Sequence, residues 1–278
     1  MKLDGRQIAS EILENLKTQV SALSQKGIVP MLLVILIGDN EESARYVRQK
    51  ELKAAEIGAK TQVMTFEDSM TYEQAKKIVE KSNADKNIHG IIIQRPAPES
   101  LRVGELAELI DPKKEIDGFG HNALYPVPVA EATLILIENA FKQSDESGNF
   151  EEWLKEKNIV VIGKGETAGK PIIEHLQKLG VSPTIVDSKT QNPKEVTLNA
   201  DILISAVGKQ DTVSPDMIKK GAILIGVGLF VNTGGKLSGD FDQEEIEDIV
   251  SFYSPTPGGI GPVNVACLMK NLVKSAAD

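Results

Sequence analysis

The chain reads as a two-domain α/β protein with parallel sheets. Three observations carry that reading: strand-like and helix-like patterns alternate from end to end, the buried-type strands are short continuous apolar runs, and a glycine-rich turn joins one of them to a helix. At 278 residues the chain suits one large or two modest domains with sizeable cores.

Element by element, residues 5–25 carry Ile8, Ile12, Leu16, Val20 and Leu23 at helical spacing. A strand is expected at 32–37, then a turn through Gly38, Asp39 and Asn40 and a helix at 43–57. A strand at 60–66 and a helix at 71–81 follow. The run 90–94 is a short buried strand stopped by Arg95-Pro96-Ala97-Pro98. A helix over 101–110 ends at Asp111-Pro112, a loop spans 113–120, and a helix at 129–141 leads into a polar, turn-rich loop at 142–149. In the second half, strand 158–162 enters the glycine turn, a helix runs to Leu179 and a strand at 184–186 completes a βαβ unit. Two buried strands at 202–206 and 222–226 continue that sheet, and a helix at 261–277 has apolar residues that suit a return to the first domain. The expected domains are therefore 1–128 joined by 262–278, and a Rossmann-like domain at 129–261.

Composition excludes several classes. A formal charge of −9 with scattered basic residues argues against a nucleic-acid surface. One cysteine, Cys267, rules out an intramolecular disulfide and fits a reducing compartment. His89, His121, His175 and that cysteine show no metal-ligand spacing. No apolar run resembles a signal peptide or spans a membrane, so a cytoplasmic location is expected.

Tyr46-Val47-Arg48-Gln49-Lys50 is the most telling segment. Tyr46 and Lys50 stand four residues apart on a helix that opens just after a strand, so phenol and amine share one face. The phenol can stack on a flat ring, and a buried lysine loses its proton readily enough to act as acid or base. In the second half, Gly163-Lys164-Gly165-Glu166-Thr167-Ala168-Gly169 separates strand from helix. Glycines there admit a pyrophosphate to the backbone at a helix N-terminus. Asp187 ends the next strand, where a carboxylate accepts from a ribose 2′-hydroxyl and favours NAD. Ser188, Lys189 and Lys164 suit a 2′-phosphate instead. Asp117, on the loop Ile116-Asp117-Gly118-Phe119, can take two hydrogen bonds from an aminopyrimidine edge. The loop 255–262 holds Pro257, Gly258 and Gly259 and can bring backbone close to a ligand.

Taken in order, these motifs resemble the bifunctional methylenetetrahydrofolate dehydrogenase/methenyltetrahydrofolate cyclohydrolase family over essentially the whole chain. The carriers are Leu3-Asp4-Gly5, Tyr46 with Lys50, Ala54-Ala55-Glu56-Ile57-Gly58, residues 90–94, the run from Asp111 to Phe119, the glycine loop ending Gly169-Lys170-Pro171, residues 206–209 with Val207 and Gly208, Gly239-Asp240, and residues 257–262. The resemblance implies that Lys50 is the central catalytic group, that Tyr46 packs on the folate ring, that Gln94 hydrogen-bonds and tunes the lysine, and that Asp117 anchors the pterin. It implies oxidation of 5,10-methylenetetrahydrofolate with NADP, or NAD, followed by hydrolysis to 10-formyltetrahydrofolate, in a homodimer. A monofunctional member and a non-catalytic folate- or nucleotide-binding protein are the alternatives.

The departures cluster on the cofactor side. Arg-Ser of the family's glycine loop is Lys164-Gly165 here, the histidine before the second-strand serine is Asp187, and Asp-Val-Gly is Gly226-Val227-Gly228. Gln94 is followed by Arg95 rather than leucine, Pro126-Val127-Pro128 replaces Pro-Cys-Thr, and Asn264 stands near the usual threonine.

Overall fold

The computed structural model describes residues 1–278, which divide into two compact units. One comprises Ala9–Pro128 and Val265–Asp278; the other comprises Met1–Ile8 and Val129–Asn264. In chain order the elements are α1 (Gly5–Gln25), β1 (Met31–Ile37), α2 (Glu41–Glu56), β2 (Lys60–Phe66), α3 (Tyr72–Ala84), β3 (Gly90–Ile93), α4 (Val103–Glu108) and α5 (Pro128–Gln143). They continue with α6 (Phe150–Lys155), β4 (Ile159–Ile162), α7 (Gly169–Lys178), β5 (Thr184–Val186), α8 (Pro193–Thr197), β6 (Ile202–Ser205), β7 (Ile223–Gly226), β8 (Leu229–Val231), β9 (Leu237–Gly239), α9 (Gln243–Ile246), β10 (Phe252–Tyr253) and α10 (Ile260–Ala277).

The first unit is built on a parallel sheet ordered β2-β1-β3. Because side chains alternate along a strand, β1 feeds two cores. Leu32, Val34 and Leu36 pack with Leu13, Leu16, Val47, Ala54, Leu268 and Leu272 on one face. Leu33, Ile35 and Ile37 pack with Ala75, Val79, Leu106 and Ile93 on the other. Burial on both faces explains why β1 reads as an uninterrupted apolar run. Asn40 caps α2 by accepting from the Ser43 amide at 2.9 Å, and Glu41 and Glu42 in the first turn complement the helix dipole.

In the second unit all five strands run parallel in the order β10-β7-β6-β4-β5. The chain moves from β4 to one side for β5 and to the other for β6, so the C-terminal ends of β4 and β6 form a topological switch point. Residues 1–8 pack here: the Leu3 amide donates to the Tyr253 carbonyl at 2.8 Å, and the Tyr253 amide to the Met1 carbonyl at 2.9 Å. A side chain at Gly5 would collide with the Gly259 carbonyl, only 2.0 Å from its Cβ, which gives the Leu3-Asp4-Gly5 motif a packing cause.

Several elements differ from expectation. The helix expected over 101–110 is interrupted at Arg102, which adopts φ 44° between a 3₁₀ turn (Glu99–Leu101) and α4. Its guanidinium lies 4.0 Å from the centre of the Tyr72 ring, a contact that sets this conformation apart from a simple break. Directly after the polar loop, α6 is capped by Asn149, and its Phe150 and Trp153 rings pack against Phe141 of α5. The hairpin β8–β9 and the short α8, α9 and β10 have no expected counterpart.

Candidate functional site

The first unit brings Lys50, Gln94 and Asp117 together. α2 departs from the C-terminal end of β1, and Gln94 directly follows β3, the parallel neighbour of β1. The Gln94 amide donates to the Ile35 carbonyl at 2.9 Å, fixing where its side chain starts. Lys50 Nζ then donates to Gln94 Oε1 at 2.9 Å, while Gln94 Nε2 donates to the Arg95 carbonyl at 2.6 Å. That second bond decides which way round the carboxamide sits. Burial pushes the Lys50 amine below the usual ammonium range, opposed by the negative charge of Asp117. Tyr46, one turn before Lys50, is half-buried, and burial, helped by Glu42, pushes its phenol up. An amine that can be neutral, an oriented carboxamide, a phenol and a carboxylate form a set suited to proton transfer beside a flat polar ring.

Asp117 sits on a loop whose shape is fixed from several sides. Gly118 has φ 77°, and a Cβ there would lie 2.6 Å from the Val127 nitrogen. Asn271 of α10 donates to the carbonyls of Ile116 and Pro126 at 2.9 and 3.0 Å. Arg95 lies 4.5 Å over the Phe119 ring. Glu115 is buried behind the loop, and burial together with Asp117 pushes its carboxyl up to about 7.

The second unit holds the glycine loop at its switch point. Gly163 has φ 91°, its amide donates to the Val186 carbonyl at 2.8 Å, and a Cβ on it would meet the Ala206 carbonyl at 2.8 Å. A Cβ on Gly169 would lie 2.2 Å from the Gly163 carbonyl, so both glycines serve the tight strand–helix approach. Gly165 differs, since a Cβ there has open space around it. Ala168, the N-cap of α7, supplies no side-chain cap, and Thr167 precedes it. Room beside Gly165 and an uncapped helix N-terminus fit a phosphate-bearing cofactor. At the end of β5, Lys164 Nζ bonds Asp187 Oδ2 at 2.7 Å, and the Lys189 amide donates to Asp187 Oδ1 at 2.9 Å. These donors hold the Asp187 carboxyl down at about 2. Ser188 and Lys189 are exposed beside it.

Across the switch point, the loop carrying Val207 and Gly208 is organised by Asp240, whose side chain is fully buried. It accepts from the Ser205 hydroxyl at 2.7 Å and from the amides of Val207, Gly208 and Lys209 at 3.0, 2.7 and 2.9 Å. A Cβ on Gly228 would sit 2.3 Å from the same carboxylate. Pro257, Gly258 and Gly259 also belong to this unit, with Gly258 at φ 105° beside Arg6.

Residues 3–117 match the tetrahydrofolate dehydrogenase/cyclohydrolase catalytic domain, and residues 148–278 match the NAD(P)-binding domain of the same family. The chain belongs to the tetrahydrofolate dehydrogenase/cyclohydrolase family. It is 37% identical over 280 residues to the bifunctional protein FolD of Bacillus pumilus, covering 99% of this chain and 96% of that one. The crystal structure of the bifunctional FolD enzyme from Campylobacter jejuni matches with a TM-score of 0.92 at 31% identity, over 100% of this chain and 98% of that one. FolD of Trypanosoma brucei, complexed with NADP and an inhibitor, matches with a TM-score of 0.88 at 27% identity, covering 100% and 97%.

For this family member, sequence reasoning left two structural participants without a role. Asp240 was visible only as half of a Gly-Asp pair, and its partners lie more than thirty residues earlier. Glu115 was visible only as one letter of the motif that ends at Phe119. Arg95, open between a ligand contact and solvent in the sequence, stacks on Phe119.

Proposed function

We propose that Lys50, positioned by Gln94 and flanked by Tyr46 and Asp117, performs the proton transfers of a bifunctional folate enzyme. The enzyme oxidises 5,10-methylenetetrahydrofolate to the 5,10-methenyl cation with NADP or NAD, then hydrolyses that cation to 10-formyltetrahydrofolate. The observation that carries the role of Lys50 is its bond to an oriented, buried carboxamide in surroundings that favour the neutral amine.

The cofactor supplies a hydride acceptor, held by 163–169 with Lys164, Asp187, Ser188, Lys189, Val207 and Gly208. Hydride loss from the one-carbon bridge is assisted by the folate nitrogen lone pair, so the protein contributes positioning rather than a proton at that step. Hydrolysis is different. Water adds to the methenyl carbon and gives up a proton to neutral Lys50; the carbon–nitrogen bond then breaks as the departing ring nitrogen receives that proton from the lysine, and the new hydroxyl passes its own proton to the neutral amine, which releases it to water, leaving the formyl carbonyl. A neutral amine also avoids repelling the methenyl cation. Tyr46 supports one face of the ring and Asp117 accepts from the aminopyrimidine edge; Pro257, Gly258 and Gly259 are the further substrate-binding residues of this reading.

This reading assigns Ala9–Pro128 with Val265–Asp278 to the folate side and Val129–Asn264 to the cofactor side; residues 1–8, expected with the first domain, group with the cofactor unit. It makes the enzyme a cytoplasmic homodimer that acts without nucleic acid or membrane and feeds one-carbon metabolism, including purine biosynthesis. The charge of −9 argues against a nucleic-acid surface, and no helix is long and apolar enough to cross a membrane.

Replacing Lys50 with Met tests the assignment. Cyclohydrolase turnover should fall by about 10²- to 10⁴-fold, the usual worth of a positioned acid–base group, with folate affinity changing far less. Cyclohydrolysis retained in Lys50→Met refutes the role.

A further inference from the structure

A buried carboxyl is costly to keep, and costlier with a second carboxylate beside it. Glu115 is 3% exposed and stands two residues before Asp117. No basic side chain is hydrogen-bonded to it. Its Oε2 instead accepts from the Gly120 amide at 3.3 Å, and the amides of Phe119 and Gly118 lie near enough to favour its ionised form. The backbone of Glu115 is tied in the opposite direction: it pairs with Ile91 in a parallel bridge, and the Ile91 amide donates to the Lys114 carbonyl at 2.8 Å. Ile91 belongs to the strand that ends at Gln94, so one residue links the Gln94 strand to every peptide group just after Asp117.

We propose that Glu115 is a positioning residue of the folate site, a buried strut whose carboxyl group folds the 118–120 backbone back on itself and so fixes the direction in which Asp117 presents its carboxylate. The outer ends of this segment already have anchors, Asn271 on the Ile116 and Pro126 carbonyls and Val127 against Gly118. Glu115 supplies the anchor between them. Its reach is specific. An aspartate is one methylene shorter and falls short of Gly120, while a glutamine of the same length turns an NH₂ toward backbone donors or gives up half its acceptors. Burial and Asp117 push the Glu115 carboxyl up to about 7, and the backbone amides pull against that rise, as donors to its ionised, fully accepting form do.

The proposal rests on the assignment of Asp117 to the pterin, and a double-mutant cycle separates the two. Affinity for 5-formyltetrahydrofolate, a reduced folate without the methylene bridge, is measured by calorimetry for the wild-type chain, Asp117→Asn, Glu115→Gln and the double variant. NADP affinity and the melting temperature are followed in parallel. Asp117→Asn should weaken folate binding about 10- to 100-fold, the worth of a hydrogen bond to a charged group. Glu115→Gln should weaken it about tenfold, raising KM for the folate more than it lowers kcat and leaving NADP affinity in place. The double variant should be no worse than Asp117→Asn alone, because Glu115 acts through Asp117. Additive losses, or an unchanged affinity in Glu115→Gln, overturn the strut. No loss in Asp117→Asn overturns the pterin assignment and the strut with it. Should Glu115→Gln fail to fold, hydrogen exchange of the wild-type protein decides: the Gly118, Phe119 and Gly120 amides should be protected, and fast exchange at all three overturns the proposal.

Discussion

Removing the Asp240 carboxylate should damage the cofactor unit by an amount that its surroundings allow to be worked out. Asp240→Ala strands four donors: the Ser205 hydroxyl and the amides of Val207, Gly208 and Lys209. A buried donor left without a partner costs about 1–3 kcal/mol. Val207 is 46% exposed, so water can reach part of this loop and the low end applies. At ~1 kcal/mol for each donor the loss is about 4 kcal/mol, within the range for removing one partner of a buried charged network. Asp240→Asn keeps the shape and one acceptor oxygen, and about half that loss is expected. The chain has two units, so a global melt would mix transitions. Trp153, the single tryptophan, lies in the same unit as Asp240 and reports on it alone. Urea titration followed by its fluorescence should therefore show the loss. Cofactor affinity should fall with it by about tenfold or more in Asp240→Asn, since the 206–209 loop forms one lip of the switch point. A loss under ~1 kcal/mol in Asp240→Ala, with unchanged cofactor affinity, would refute the idea that this carboxylate organises the loop.

Two further predictions concern the glycine loop. Gly165→Ala adds a methyl group into open space, so the urea midpoint followed by Trp153 should hold while NAD(P) affinity drops; Gly169→Ala, whose methyl would meet the Gly163 carbonyl at 2.2 Å, should lower both. If Gly165→Ala binds the cofactor like the wild-type chain, the loop does not cradle it. In the proposed cofactor site, the Lys164–Asp187 pair would set an ionised carboxylate where a 2′-phosphate needs a cation. Calorimetric titration of Asp187→Ser should show the NADP-to-NAD affinity ratio rising by roughly tenfold as the Lys164 ammonium is released, and an unchanged ratio would place this pair away from the ribose.

What the sequence made legible is what short-range pattern controls. The strand at 31–37, the helix carrying Tyr46 and Lys50, and the turn from β4 into α7 each depend on residues adjacent in the chain: a continuous apolar run, a four-residue spacing, glycines at a strand–helix junction. The break at Arg102 was hidden because a positive φ is expected of glycine, and an arginine held over a tyrosine ring gives no local sign of it. β10 escaped notice because two residues carry no periodicity; its place in the sheet comes from pairing with β7 and from the N-terminal residues that lie beside it. Asp240 and Glu115 were hidden for a deeper reason. Each is a buried polar residue whose meaning is a set of backbone donors, and backbone donors leave no mark in the letters of a sequence.

A carboxamide at position 94 suits the role proposed for Lys50. In that role the amine takes and returns a proton, so its partner must accept a hydrogen bond from either form. Gln94 Oε1 does this, because an amine and an ammonium each have an N–H to offer it. A carboxylate in its place would favour the ammonium and hold the proton on the lysine, defeating the water-activation step and adding a second anion to the one at Asp117. The carboxamide carries the opposite risk, that it could turn over and point its NH₂ at the lysine. The bond from Nε2 to the Arg95 carbonyl at 2.6 Å removes that option, since a turned amide would set carbonyl against carbonyl. Burial lowers the affinity of Lys50 for its proton, Asp117 partly restores it, and Gln94 leaves the balance between them undisturbed. The proposed two-way proton transfer would draw on that balance rather than on the lysine alone.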